Sequence, residues 1–101
     1  MVTHIMEIRK RNNLKKLNAL VKEIIEVRQY LLYFEDIHLP DYQAMIDQVP
    51  IGVEPKFLIH LQQRQSIAYH GYLELRSKET LLKEAIQKTS EELDNLLKTG
   101  E

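Results

Sequence analysis

The sequence predicts an all-α fold, an antiparallel helical hairpin or coiled coil that completes a bundle by self-association. Three observations point to this fold. A 3-4 spacing runs without a break over Leu58–Leu96, a second apolar stripe covers Leu14–Phe34, and all three prolines lie between them. Stripes of this length and spacing are typical of helices packed side by side. We therefore expect one helical domain over residues 1–101.

The first helix is predicted over residues 6–34. Its apolar stripe comprises Leu14, Leu17, Leu20, Val21, Ile24, Val27, Leu31 and Phe34, which recur at steps of three and four along one side. The run Tyr30–Phe34 is apolar or aromatic at every position, and so would cover all sides of a helix. We interpret this run as core, surrounded by the corner residues and Phe57. A partly exposed binding patch is the alternative.

Prolines mark the corner between the two long helices. Pro40, Pro50 and Pro55 all fall within sixteen residues. Because proline removes a backbone donor and disfavours a helical predecessor, a continuous helix through this segment is not expected. A short corner helix is predicted over residues 41–49, with Asp41 as its cap. Pro55 suits the first turn of the next helix, where its missing N–H costs nothing.

The last helix is predicted over residues 55–98. Nine of its twelve seam positions are apolar; the twelve are Leu58, Leu61, Gln65, Ala68, Tyr72, Leu75, Glu79, Leu82, Ile86, Thr89, Leu93 and Leu96. The 3-4 phase continues through Gly71, which favours an unbroken helix although glycine is a poor helix former. A kink at His70–Gly71 is the alternative. Gly100 is the expected stop at the C-terminus.

Composition narrows the class of protein. The chain has no cysteine, and therefore no disulfide framework, zinc finger or thiol nucleophile. No apolar stretch reaches the ~18 residues of a transmembrane helix. At the N-terminus the apolar residues precede the basic ones, the reverse of a secretory signal. A cytoplasmic protein is expected.

Charge is sorted along the chain although the net charge is −1. Residues 1–28 hold seven Lys or Arg against three Glu, a balance of +4. Residues 29–55 hold five acidic residues and no Lys or Arg, a balance of −5, and residues 56–101 carry seven of each sign. Such sorting can orient partners or subunits through electrostatic complementarity.

Metal binding and catalysis are not predicted. Three pairs place a histidine and a carboxylate about one helical turn apart: His4 with Glu7, Glu35 with His38, and His70 with Glu74. A di-iron bundle needs two Glu-x-x-His motifs, whereas Glu35–His38 alone has that order. We interpret these histidines as solvated or capping residues and expect no cofactor. A bundle metalloenzyme ranks third, behind an interaction protein and a regulator associated with nucleic acid.

A basic segment supports the alternative function, a regulator associated with nucleic acid. Five cations without an acid lie within residues 9–16: Arg9, Lys10, Arg11, Lys15 and Lys16. Lysine and arginine supply most non-specific affinity for phosphates. No aromatic residue is interleaved to stack on bases. We therefore expect these residues to contact solvent or an acidic partner.

The leading hypothesis is a small non-enzymatic interaction protein that acts as an adaptor, assembly factor or chaperone-like binder. At 1.5 Å per residue, a helix over 55–98 spans about 66 Å and one over 6–34 about 43 Å. The longer helix would then project beyond the shorter one from about residue 84. The residues predicted to form a dimer contact there are Leu82, Ile86, Leu93, Leu96 and Leu97. A homodimer is the expected assembly.

Overall fold

The computed structural model describes the backbone of residues 2–99 and the side chains of residues 4–98. Helix α1 spans Val2–Tyr33, a π-helical turn spans Phe34–His38, α2 spans Leu39–Asp47, and α3 spans Pro55–Thr99. No strand occurs within residues 2–99. The predicted all-α helical hairpin is confirmed. Gly100, the expected stop, lies outside the described residues.

The predicted seam of α3 is confirmed. All twelve of its positions are buried or partly buried, including the polar Gln65, Glu79 and Thr89. Helix α3 also runs without a break through Gly71, as predicted. The register read from the 3-4 spacing is therefore the register of the folded helix.

Helix α1 buries a narrower stripe than the sequence predicted. The stripe predicted from the sequence includes Leu14 and Val21, but these side chains are 48% and 39% exposed. The positions that are buried or partly buried at alternating steps of four and three are Met6, Lys10, Asn13, Leu17, Leu20, Ile24, Val27, Leu31 and Phe34. This is a heptad seam, with Lys10 and Asn13 as its polar members. The broad stripe predicted from the sequence therefore combines two stripes, the buried seam and an exposed one that contains Leu14 and Val21.

The helical backbone does not end at residue 34 as expected. It continues through the π turn into α2 and ends at Asp47. The amide of Leu39 donates to the carbonyl of Phe34, five residues back, which is the π-helical pattern. This wider turn directly precedes Pro40, whose ring would clash with a carbonyl four residues earlier in a regular α-helix. The helix thus accommodates Pro40 by widening for one turn, and it does not end before the proline.

The π turn also shifts the helical phase by one residue. From the last residue of the turn to the corner, the residues that are buried or partly buried are His38, Leu39, Tyr42, Ile46 and Val49. Without the extra residue, the heptad phase of α1 would direct Asp41, Met45 and Gln48 inward instead. All three are exposed. Because of the extra residue in the π turn, Tyr42 and Val49 occupy the seam positions that Asp41 and Gln48 would otherwise take.

The corner itself is short and comprises residues 48–54. The amide of Val53 donates to the carbonyl of Pro50 at 3.3 Å, which closes a four-residue turn. Gly52, the third residue of the turn, has a φ of 95°, as a type II turn requires. Pro55 then begins α3 as predicted.

Two compact units make up the chain, one from residues 1–26 and 79–101 and the other from residues 27–78. In the first unit, α1 and α3 bury Ile24 and Leu82, which are 4% and 7% exposed. Thr89, also in this unit, is 1% exposed and is the most deeply buried polar residue described. The core of the first unit is a single seam of side chains.

The second unit contains the end of α1, the π turn, α2, the corner and the first half of α3. Its buried hydrophobic residues are Val27, Leu31, Leu61 and Ala68. The interpretation of Tyr30–Phe34 as core is wrong for most of the run. Leu31 is buried and Phe34 partly buried, but the other three side chains are at least 47% exposed, and so is Phe57 at 53%. Because the corner is short, it does not cover the outer face of α1.

Candidate interaction surfaces

A second apolar stripe lies on the surface of α1, beside its seam. Six positions follow one another at steps of four and three: Leu14, Asn18, Val21, Ile25, Arg28 and Leu32. Four are apolar, and Leu14, Val21, Ile25 and Leu32 are 48%, 39%, 49% and 56% exposed. Positions at this spacing share one face of an α-helix. We call these six residues the outer stripe.

The exposed apolar residues of α3 are arranged differently. The large exposed hydrophobic residues described there are Phe57, Ile59, Ile67, Tyr69, Leu73, Leu81 and Leu97. Among them only Tyr69 and Leu73 are three or four residues apart, and polar residues such as Ser66, His70 and Ser77 lie between them. Single exposed hydrophobic side chains are normal on protein surfaces. The outer stripe of α1 is therefore the stronger candidate for a contact surface.

The residues predicted for self-association lie in the first unit. Leu82 is 7% exposed, Ile86, Leu93 and Leu96 are partly buried, and Leu97 is 52% exposed. The premise that α3 projects beyond the first helix is wrong, because helical backbone reaches Asp47 and residues 79–101 form a unit with residues 1–26. These side chains therefore have contacts within the chain. Their role between chains stays a prediction.

The five cations of the basic segment do not share one face. Arg9 and Lys16 lie seven residues apart on one side of α1, and Arg11 and Lys15 lie four apart on another. Lys10 occupies a seam position and is partly buried, while the other four are exposed. A protein that tracks a phosphate backbone needs a row of cations. This arrangement provides two separate pairs.

An aromatic cluster surrounds the π turn within the second unit. The ring of His38 stacks on Tyr33 with centroids 5.5 Å apart, and it meets the rings of Phe34 and Tyr42 edge-on at 5.1 Å each. Phe34 also contacts Tyr72, with centroids 6.3 Å apart. Aromatic pairs at these distances are stabilising beyond their buried area. His38, predicted from the sequence to be solvated or capping, is partly buried and contacts three aromatic rings.

Glu35 of the π turn is tied to α3. The hydroxyl of Tyr72 donates to its Oε1 at 2.6 Å. This hydrogen bond to a carboxylate raises the pKa of Tyr72 above its usual value, and the nearby Arg76 opposes the shift. The guanidinium of Arg76 lies 5.9 Å from the centre of the Tyr72 ring, within cation–π range. These contacts join the π turn to α3 within the second unit.

A shallow groove of about 460 Å³ lies beside this contact, between α2 and α3 in the second unit. Its walls include Glu35, Pro40, Ser66 and Tyr69. A hydrogen bond of 2.7 Å joins the side-chain amides of Gln65 and Gln43, which also line it. These groups can donate and accept hydrogen bonds. Among the described residues, the lining of this groove includes Glu35 and Tyr69 but no histidine or lysine.

The described residues form neither a cluster of metal ligands nor a membrane-spanning helix. No three histidine, aspartate or glutamate side chains in that part of the chain converge so that they could hold a metal ion. Within residues 2–99, no helix combines the length and the hydropathy needed to cross a membrane.

Comparison with known proteins yields no relative. No protein-family model, no curated protein and no solved structure matches the chain.

Proposed function

We propose that the protein is a small non-enzymatic interaction protein, an adaptor, assembly factor or chaperone-like binder that acts through exposed faces of its helices. The observation that carries this proposal is the outer stripe of α1. A row of apolar side chains at 3-4 spacing is the surface that one helix presents to another. Left in water, such a row usually marks an interface.

The balance of buried and exposed hydrophobic residues supports the proposal. Among the described residues, six hydrophobic side chains are buried and nineteen large ones are exposed. A small chain with so thin a core gains stability by burying further surface against a partner. We therefore propose a homodimer that also binds a second protein. Because the chain has no cysteine, a reducing compartment suits it, and the proposal places it in the cytoplasm.

Photocrosslinking in the native host tests the proposal. A photoreactive phenylalanine analogue at Leu32, which is 56% exposed on the outer stripe, should give a covalent adduct on illumination. The matched control is the same analogue at Ser77, an exposed polar position on α3. We expect adducts from the first position and at most traces from the second. An adduct of twice the monomer mass identifies a second copy, and any other protease-sensitive adduct identifies a different protein.

Two results would contradict the proposal. Equal adducts from both positions would show non-specific encounter rather than a defined surface. Loss of the adduct on nuclease treatment would favour the alternative, a regulator associated with nucleic acid that uses the segment of residues 9–16. In that case retention on duplex DNA or RNA should fall steeply as salt rises.

A further inference from the structure

We propose that α1 pairs with α1 of a second copy of this chain, antiparallel, about a two-fold axis at residue 23. This inference rests on the proposed function and specifies its partner. In a two-fold pair of antiparallel helices, positions at equal distances on either side of the axis face each other. The sequence of the outer stripe is arranged symmetrically about that point.

The symmetry matches residues by type. Leu14 and Leu32 each lie nine residues from position 23, and Val21 and Ile25 each lie two residues from it. Each member of such a pair would meet the other member on the opposite chain. The two polar positions of the stripe, Asn18 and Arg28, each lie five residues from position 23. Apolar residues thus meet apolar ones, and polar residues meet polar ones.

The charges beyond the stripe obey the same symmetry. Continuing the steps of three and four outward gives Arg11 at one end and Glu35 at the other, each twelve residues from position 23. Two copies would bring these opposite charges together at both ends of the interface. Glu35 also accepts a hydrogen bond from the hydroxyl of Tyr72 in its own chain, at 2.6 Å.

Charge also disfavours the competing arrangements. A parallel pair places every residue opposite its own copy, so that Arg11, Arg28 and Glu35 would each face a like charge. Sliding the antiparallel pair by one heptad in one direction places Arg11 opposite Arg28. Sliding it in the other direction places Ile25 opposite Arg28. The axis at residue 23 avoids all of these mismatches.

Light scattering on the purified full-length chain tests the interface. The wild-type protein at micromolar concentration should have twice the mass of one chain. The double variant Val21→Glu/Ile25→Glu should associate at least tenfold more weakly and become monomeric, with its helix content unchanged by circular dichroism. The matched control Ile67→Glu/Leu81→Glu alters two exposed apolar residues of α3 and should remain a dimer.

A charge exchange tests the register. Arg11→Glu and Glu35→Arg should each weaken the dimer severalfold, and the double exchange should restore it, because every facing pair is then rebuilt with opposite signs. A merely structural role for either residue gives no such rescue. A dimer that tolerates Val21→Glu/Ile25→Glu, or an exchange without rescue, would overturn this interface while leaving the proposed function standing. A wild-type monomer would overturn both the interface and the homodimer.

Discussion

Two glycines in the second unit should respond to alanine with opposite signs. Gly71 lies in the interior of α3, where glycine costs about 1 kcal/mol relative to alanine. A methyl group at this position would lie 3.8 Å from Cζ of Phe34, an ordinary van der Waals contact. Gly71→Ala should therefore stabilise the fold by about 1 kcal/mol. For a domain of this size the melting temperature should rise by about 4–8 °C.

Gly52 is the matched control because its surroundings are open. Nothing lies within 4 Å of the position that a methyl group would take, but the φ of Gly52 is 95°. An L-residue in a left-handed conformation is disfavoured by about 1–2 kcal/mol. The reduced entropy of the unfolded chain offsets up to about 1 kcal/mol of this. Gly52→Ala should thus destabilise the protein by about 1 kcal/mol.

Urea unfolding followed by circular dichroism measures both effects. All variants need the same protein concentration, since the midpoint of a self-associating protein depends on it. A lower midpoint for Gly71→Ala would show that α3 is kinked at this glycine or that Phe34 packs closer than the structure has it. A higher midpoint for Gly52→Ala would show that the corner turn does not use a positive φ.

The remaining predictions concern the two units and the basic segment. Thr89 is 1% exposed, so Thr89→Asp should destabilise by about 3 kcal/mol or more in urea unfolding, whereas Ser77→Asp, at an exposed site, should cost under about 0.5 kcal/mol. Glu35→Gln should lower the pKa of Tyr72 towards its ordinary value, as followed by tyrosinate absorbance, because the hydrogen bond that raises it is weakened. Since the folded-state pKa is raised, the stabilisation from this contact should be present below about pH 10 and be lost as the pH rises through the raised pKa. Tyr72→Ala should lower the urea midpoint more than Tyr69→Ala, because Tyr72 is partly buried on the seam and Tyr69 is 49% exposed. Duplex DNA should not retain the protein at 150 mM salt, because its basic residues form no single row.

The sequence predicted the fold class, the register of α3 and the position of Pro55, because these depend on local rules. A 3-4 spacing over almost six heptads admits one helical phase. Pro55 fits the one part of a helix that tolerates proline well. Gly71 was also placed within a continuous helix, because the phase on either side of it agrees.

The sequence did not predict the π turn, because this depends on tertiary packing. Near Pro40 a helix can end or can widen by one residue, and local preference favours ending it. With the wider turn, Tyr42, Ile46 and Val49 are partly buried. Rules that consider only neighbouring residues do not include this burial. The longer helical segment then removed the basis for the predicted projection of α3.

The outer stripe was missed for a different reason. Leu14 and Val21 were counted with the seam of α1, since any apolar residue three or four positions from another extends a stripe. If the steps of three and four residues must alternate strictly, the apolar residues of α1 divide into two series. One series includes Leu17, Leu20 and Ile24, and the other includes Leu14 and Val21. That finer reading would have indicated two contact faces on one helix.

The distance between spin labels in the dimer tests the central claim most directly. The chain has no cysteine, so a single cysteine at the exposed Asn12 or Gln29 carries one label per chain. With the axis at residue 23, labels at Asn12 should lie about 33 Å apart along the helices and labels at Gln29 about 18 Å apart. The measured distance should therefore be longer at Asn12 by more than about 10 Å. Equal distances at both sites would indicate a parallel pair, and the absence of any interchain distance would show that α1 does not pair with its copy.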